Sequence, residues 1–313
     1  MLRVIVKRLL LAVPLLFLVS LVSFILQSLI PGNPAAAIAG ASASKQQIAK
    51  LAQTLGLDKP LAEQYWNWLS GAFHGTLGNS LINDQPVLSA LNQRLPVTVA
   101  LVGSATIVAT LIGVAFGLVS SRGGRAVARS VDVISIAGLA IPSFWLALLL
   151  IAFFSVRLGW LPANGYTAPT TSVTGWLSTL VLPVAALGFA GVTAVAKLTR
   201  EAMLDVMSSQ FIRNLRANGI PERSVIARHC LRSAAIPVVT IAGLLFINSL
   251  GASVVIEQVF GLPGLGSLAV SATASHDIPM IQGVAVYFTL LVIAMNLLVD
   301  VLYAWINPRV RVR

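Results

Sequence analysis

The side chains most capable of chemistry are few, and none of them forms a catalytic or metal-binding set. The three histidines lie far apart along the chain, at His74, His229 and His276, and the single cysteine is Cys230. This spacing gives no zinc site, and one cysteine gives no internal disulfide. The sequence also has no phosphate-binding G-x-x-x-x-G-K-[ST] loop and no G-x-S-x-G or H-E-x-x-H motif. We therefore expect no catalytic residue, metal or cofactor in this chain.

Residues 198–233 form a basic segment whose pattern predicts two short helices with a break between them. Ser208 or Ser209 suits a helix N-cap, and Gly219 suits the position just after a helix end. Pro221 suits the first turn of the helix that follows. We expect these two helices to lie outside the bilayer.

The first of these helices carries an apolar pair among cations. Phe211 and Leu215 lie four residues apart and would share one face, whereas Arg213 and Arg216 would fall on other faces. An apolar knob with a cationic rim is suited to a groove on a soluble partner. An ordinary loop with snorkelling arginines is the alternative interpretation.

The stretch EQVFGLPGLGSL, which begins at Glu257, predicts irregular backbone at the outer end of an apolar run. Gly261, Pro263 and Gly264 make a regular helix unfavourable there. Irregular backbone at membrane depth is tolerated where it lines a cavity or is buried in protein. The pattern favours a re-entrant or gate-like turn near an outer mouth, and a plain surface loop is the alternative.

Long apolar runs position these two segments. A bilayer core is crossed by about 20 apolar residues in a helix, and six stretches meet that requirement. They are residues 9–30, 97–120, 132–156 (interrupted by Pro142, with Gly138 nearby as a bend site), 177–197, 234–256 and 280–306. The first run is longer than the core of a secretory signal peptide, so we expect a retained anchor. The predicted fold class is an all-α polytopic membrane protein with six transmembrane helices.

The basic residues set the orientation. Of 21 lysines and arginines, 16 fall on one side of the predicted spans and five on the other, and the loop between spans five and six has none. Because cytoplasmic loops carry the excess of positive charge, both termini are expected in the cytoplasm. The five outer residues are Lys45, Lys50, Lys59, Arg94 and Arg157. This bias also accounts for the net charge of +11 without a nucleic-acid partner.

Only 10% of the 313 residues are charged and 57% are hydrophobic, which is typical of a membrane protein. Few ionisable residues sit within the spans, and Asp132, Asp300 and Glu257 lie near span ends. Proton- and sodium-driven carriers usually need carboxylates near mid-membrane, so this pattern argues against secondary transport. The polar groups nearest mid-span are Asn248, Ser249 and Asn296, for which hydrogen bonding between helices competes with a role in a substrate pathway.

Residues 31–95 form a large outer segment. Ile48, Leu51 and Leu55 have helical spacing that stops at Gly56, and a second amphipathic piece covers Leu61–Phe73. Its tryptophans and tyrosine favour a membrane interface. These helices are expected to lie on the bilayer surface, to dock an extracytoplasmic partner, or to do both.

The chain resembles the first permease subunit of bacterial dipeptide and oligopeptide ABC importers over nearly its whole length. The order and spacing of its motifs carry the resemblance. They are IPGNPA, LGLDKPLAEQYWNWL, LGNSL, RLPVTVAL, AIPSFWLALLL, LGWLPANGY, FIRNLRANGIPERSVIARHCLRSAAIPVVT, VVIEQVFGLPGLGSL and NLLVDVLYAWINPRVR. The resemblance implies that residues 198–233 are the segment that couples the permease to the ATPase. The family pattern in this coupling segment resembles IRTARAKG, and this chain differs from it at Asn214, Leu215 and Asn218.

The resemblance implies a type I ABC importer permease fold in one domain over residues 1–313, in the bacterial inner membrane. It implies a second permease subunit, one or two ATPase subunits that bind ATP and magnesium, and an extracytoplasmic substrate-binding protein. It also implies roles for three groups of residues. They are ATPase-coupling residues Phe211, Ile212, Arg213, Leu215, Arg216, Gly219, Glu222 and Arg223; outer-gate residues Glu257, Phe260, Pro263 and Gly264; and pathway residues Ser143, Asn248, Ser249 and Asn296.

The implied function is non-catalytic, namely import of dipeptides or oligopeptides by alternating access. The same machinery carrying nickel, glutathione or haem is one alternative. A channel or secondary carrier acting alone, and a membrane-embedded enzyme or scaffold, are more remote. Transport by vesicles without ATP or partners would distinguish the lone carrier, and a constellation of reactive residues would distinguish the enzyme.

Overall fold

The computed structural model describes residues 2–29, 33–40, 42–123, 129, 133, 138 and 140–306. Residues outside these ranges include 31–32 of the IPGNPA motif, Arg125, Asp132 and the C-terminal arginines. Most of the predicted third span before residue 140 also lies outside them. All regular structure in the described ranges is helical, apart from one isolated antiparallel bridge between Asn79 and Pro86.

Twelve α-helices are described, two of which continue directly as π-helical turns. The helices are α1, Leu2–Ser28; α2, Pro34–Ala39; α3, Lys45–Thr54; α4, Leu61–Phe73; α5, Val87–Arg122; α6, Ser143–Leu150, continued by π-helical turns over Ile151–Arg157; α7, Val173–Ser208; α8, Gln210–Ala217; α9, Glu222–Ser224, continued by π-helical turns over Val225–Cys230; α10, Leu231–Phe260; α11, Leu265–Ala274; and α12, Ile278–Ile306.

Five helices are long and apolar enough to cross a membrane. They are Arg8–Ser28, Val87–Arg122, Val173–Ser208, Glu222–Phe260 and Ile278–Ile306. They coincide with five of the six predicted spans, which are confirmed as helices. Within the predicted third span, residues 133, 138 and 140 are helical, and a new helix begins at Ser143, because Pro142 has an extended backbone and caps it. Pro142 therefore separates helical segments instead of lying within one.

Two helix boundaries within residues 198–233 differ from the prediction. The helix of span four continues into that segment as far as Ser208. The second short helix is not separate, because the chain stays helical from Glu222 to Phe260 and so runs directly into span five. The predicted break between the two helices is confirmed at Asn218–Pro221.

The chain divides into two compact units. Unit 1 contains residues 1–4, 99–262 and 294–313, and unit 2 contains residues 5–98 and 263–293. Glycines allow close helix approach in unit 1, since a Cβ at Gly113 would lie 2.6 Å from Val195 Cβ and one at Gly191 would lie 2.6 Å from Leu245 Cδ2. Small residues at such crossings are how helices pack in lipid, where burial of apolar surface adds little.

Unit 2 has an apolar core and buried polar contacts. The core joins the start of α5 to α11 and α12 through Val87, Leu91, Leu268 and Val284, among others.

Helix α3 is capped at its N-terminus by Ser44, whose side chain forms a reciprocal capping box with Gln47. The predicted helices at Ile48–Leu55 and Leu61–Phe73 are thus confirmed, the first ending at Thr54.

Polar side chains fasten α4 and α12 to the first span in unit 2. The Ser20 and Tyr65 hydroxyls are 2.9 Å apart, which joins α1 to α4. Gln27 Nε2 donates to Gln282 Oε1 at 3.0 Å, and Gln282 Nε2 donates to the Ser20 carbonyl at 2.7 Å, which joins α1 to α12. Both buried amides thus donate hydrogen bonds between helices, as polar groups within membrane helices commonly do, whereas Gln27 Oε1 has no partner among the described residues.

Candidate coupling surface and outer turn

Helix α8 forms because both of its ends are capped. Ser209 has an extended backbone, and its side chain accepts a hydrogen bond from the Ile212 N–H at 3.5 Å. At the other end Gly219 takes a left-handed conformation with φ of +76°, which glycine adopts without steric cost. Its N–H donates to the Arg216 carbonyl at 3.0 Å. Ser209 and Gly219 therefore take the capping positions that the sequence predicts, whereas Pro221 is the N-cap of the next helix and not part of its first turn.

The apolar side chains of α8 face in different directions. Ile212 is fully buried in a cluster with Met203, Val225 and Cys230, and Leu215 is half-buried against the same cluster. Phe211 is 56% exposed, and its ring meets the His229 ring edge to face at 5.8 Å. The predicted two-residue knob is thus one exposed aromatic ring beside a leucine that packs inward.

An ion pair closes the turn between α8 and α9. Arg216 Nε donates to Glu222 Oε2 at 3.0 Å, and Arg216 Nη2 donates to Glu222 Oε1 at 2.7 Å. The hydrogen bond from Arg216 to the Glu222 carboxylate raises the pKa of Arg216 above its usual value. Such a bidentate pair is directional as well as attractive. It fixes the short helix relative to the start of the long one.

A cationic hollow of about 410 Å³ lies beside this pair. Arg122, Arg216 and Arg223 contribute its positive charge, and Glu222 is the one carboxylate in its lining. Arg213 and Arg223 are exposed. The surface thus presents one aromatic ring and several guanidinium groups, a composition suited to a partner with an apolar groove and acidic rim.

The outer turn is built from a helix end and a short helix. Helix α10 ends at Gly261, which has a left-handed φ of +61°, and the Leu262 N–H donates to the Glu257 carbonyl at 2.8 Å. Gly264 is extended and caps α11, which has 10 residues, about half of what a span requires. The predicted irregular backbone is therefore present as a helix–turn–short helix.

Two residues assigned to the outer gate are buried where α10 ends. Glu257 is fully buried and Phe260 is 2% exposed. The Phe260 carbonyl accepts a hydrogen bond from the Gly165 N–H at 2.9 Å. This bond joins the end of α10 to the loop between α6 and α7 and so holds the start of the turn in place.

The four residues assigned to a pathway lie on three helices. Ser143 begins α6 and is half-buried, Asn248 is exposed and Ser249 buried on α10, and Asn296 is half-buried on α12. Among the residues that the structure describes, no hydrogen bond joins any two of these side chains. Their role in a substrate pathway stays a prediction.

Sequence reasoning missed two features of the coupling surface. It named Ile212 only through the resemblance, although Ile212 and Leu215 have the i, i+3 spacing of a buried helix face. It also named Arg216 and Glu222 without pairing them. The turn at Gly219–Pro221 reverses the chain direction between Arg216 and Glu222. A sequence pattern for a short turn between two opposite charges is the signal that could have predicted this ion pair.

Comparisons with known proteins match the whole chain. Residues 109–312 match the family model described as "Binding-protein-dependent transport system inner membrane component", and residues 1–102 match the model of its N-terminal part. The glutathione transport system permease protein GsiC of Escherichia coli O6:H1 is 41% identical over 312 residues, which cover 99% of each chain. A Brucella abortus protein, provisionally named as a peptide transport system permease, is 41% identical over 313 residues with the same coverage.

A solved structure shares the fold over part of the chain. It is the MetNI methionine ABC transporter in an inward facing conformation, with a TM-score of 0.54 and 19% identity. The match covers 70% of this chain and 97% of the MetNI chain.

Proposed function

Because the chain belongs to the family of binding-protein-dependent transport system inner membrane components, we propose that it is the first of two permease subunits of an importer for dipeptides or oligopeptides. The predicted family is confirmed, and with it the role of a permease component of an ABC importer in the inner membrane. Peptide cargo is supported by the name of the Brucella relative, which matches over full length.

Glutathione is the second candidate cargo. It is favoured by the Escherichia coli relatives named GsiC, which are 40–41% identical over 312 residues. Glutathione is itself a small peptide-like molecule, so both cargos would make similar demands on a polar pathway. Nickel and haem have no comparable support among these relatives.

The proposed topology has six spans and two cytoplasmic termini. Five long apolar helices support it, together with the distribution of 16 and five basic residues between the two sides. The remaining span, the third along the chain, would comprise α6 and the residues before it. We propose that residues 1–313 act as one permease domain in that arrangement.

The coupling of ATP hydrolysis to transport is assigned to the surface around α8. The observation that carries this assignment is the exposed Phe211 ring directly beside the buried Ile212. Leaving a phenylalanine side chain in water costs about 1.5–3 kcal/mol relative to burial, and a groove on an ATPase subunit would bury it. Rim arginines would contribute orientation more than affinity.

A second permease subunit, one or two ATP-binding subunits and an extracytoplasmic binding protein would complete the machine. This chain would contribute no catalytic residue, and ATP with magnesium would bind to the partner subunits. ATP binding would move α8, and the helix bundle would open to one side and then the other between two discrete packings.

The test is uptake by reconstituted vesicles. Vesicles that contain this chain with its partner subunits and binding protein should accumulate a labelled dipeptide only when ATP is supplied inside the compartment that holds the ATPases. A parallel measurement with labelled glutathione separates the two cargos. Uptake by vesicles that contain this chain alone would contradict the proposal and support a lone carrier.

A further inference from the structure

Unit 2 contains a polar cleft of about 240 Å³ beside helix α11. Its polar wall carries Asn83, Gln93, Arg94, Ser271 and Ser275, and its apolar floor belongs to the core of that unit. Arg94 is one of the residues predicted on the outer side of the membrane. A pocket that combines an apolar floor with a few convergent polar groups has the composition of a ligand site.

The walls of the cleft are held by hydrogen bonds. Asp277, which is 4% exposed, accepts hydrogen bonds from the Ser80 hydroxyl and from the Leu81 N–H at 3.2 Å. The Leu265 N–H donates to Thr98 Oγ1 at 2.8 Å, which fixes the start of α11 against α5. Because these contacts set the walls in advance, a ligand would lose little free energy to ordering the protein.

The lining of the cleft carries one cation, Arg94, and one carboxylate, Asp277. Arg94 is half-buried on its wall, and within the described residues its guanidinium has no hydrogen bond or ion pair. The other charged group, Asp277, already accepts one hydrogen bond at each carboxylate oxygen. A planar guanidinium with free donors suits a carboxylate, which it can bind in a bidentate manner.

The size of the cleft limits what it can hold. Its volume lies below the range of about 300–1,000 Å³ that encloses a drug-sized ligand, so it would take one end of a peptide and not the whole molecule. Helix α11, which lines it, follows directly after the Gly261–Gly264 turn.

We infer that the Arg94 cleft is an outer subsite that binds the carboxylate of the transported peptide. The inference rests on the proposed function, because it concerns the cargo of the same importer. Arg94 supplies the charge, and the Gln93 amide, which donates one of its two hydrogens to Ser89, supplies a neutral donor beside it.

The experiment compares two forms of one dipeptide in vesicles that hold the complete transporter. One form has a free C-terminal carboxylate and the other is amidated, and uptake of both is measured with the wild type, Arg94→Gln and Arg94→Lys. Arg94→Gln should reduce uptake of the carboxylate form about tenfold, the effect of one lost charge-assisted hydrogen bond, and should leave the amidated form unchanged. Arg94→Lys should keep part of the preference. Arg157→Gln, which removes another outer arginine, is the matched control and should keep both rates.

Each outcome decides the inference. An equal loss for both forms would overturn it and would indicate that Arg94 contacts the binding protein or supports the fold. No loss for either form would also overturn it. Failure of the wild type to transport both forms would instead contradict peptide import itself, so the two failures are distinguishable.

Discussion

Arg216 and Glu222 form a two-pronged ion pair across the turn that joins helix α8 to the long helix of span five, with N–O distances of 3.0 and 2.7 Å. Both side chains are exposed, and exposed pairs contribute little to stability. The pair instead restricts the orientation of α8 relative to the helix that follows it.

The first prediction follows from that pair. Glu222→Gln should leave the amount of inserted protein unchanged and should lower uptake per ATP hydrolysed by about fivefold, the lower end of typical coupling between sites. The double exchange Arg216→Glu with Glu222→Arg should restore part of the loss, because it rebuilds the pair with reversed charges. Uptake and ATP hydrolysis are measured together in vesicles, and equal coupling in all three proteins would contradict the prediction.

The second prediction uses two adjacent residues with opposite environments. Ile212→Ala should lower the free energy of unfolding by about 2–5 kcal/mol, because it leaves a cavity at a fully buried position. Phe211→Ala should have little effect on stability, because the ring is largely exposed, and should weaken retention of the ATPase. Thermal unfolding of the purified protein reports the first effect, and co-purification with the ATPase reports the second. Unchanged co-purification of Phe211→Ala would place the contact elsewhere on this surface, for example around the exposed Arg213 and Arg223.

The third prediction concerns orientation. Cysteines at Gln46 and Thr170, which are exposed in segments predicted to be outside, should react with an impermeant thiol reagent added to intact cells. A cysteine at the exposed Ala217 should react only after the cells are opened. The native Cys230 is buried and should give little background. Labelling of Ala217→Cys in intact cells would reverse the proposed topology.

The fourth prediction concerns the outer turn. Gly261 has a left-handed φ of +61°, so Gly261→Val forces a branched side chain into a conformation that costs about 1–2 kcal/mol. The turn should shift, and uptake should fall severalfold while the protein still inserts and assembles. Gly40→Val strains the backbone at least as much, since φ of +83° with ψ of 166° is a conformation almost confined to glycine. No atom of the described residues lies within 4 Å of its Cβ position, and this variant should transport normally. Equal loss in both variants would show that the effect is general strain and not a property of the turn.

Local patterns predicted the helices well, because apolar run length and capping residues act over a few neighbours. The N-cap at Ser209 and the helix over Leu61–Phe73 are examples. The extension of the span-five helix back to Glu222 was missed, because Arg223, Arg228 and Arg232 resemble a loop outside the bilayer. Charged residues stop a membrane span but do not stop a helix.

Contacts between distant parts of the chain were not predictable in the same way. Ser80 and Asp277 are separated by 197 residues, and no local pattern pairs them. The inward turn of Leu215 was also missed, since a four-residue spacing defines a shared helix face but does not say how far that face is covered. The burial of Leu215 depends on the packing of α8 against Met203 and Val225.

The unbroken helix from Glu222 to Phe260 has 39 residues, which at about 1.5 Å per residue makes a rod of about 58 Å. One end is tied to α8 by the Arg216–Glu222 pair, and the other ends at the Gly261 turn. A push on α8 therefore has a direct mechanical route to the opposite end of the rod. The π-helical turns at Val225–Cys230 lie close to the pushed end, where a change of helical winding would rotate everything beyond them. In the proposed coupling role, a movement of α8 would therefore reach the Gly261 turn as a rotation of the long helix as well as a displacement.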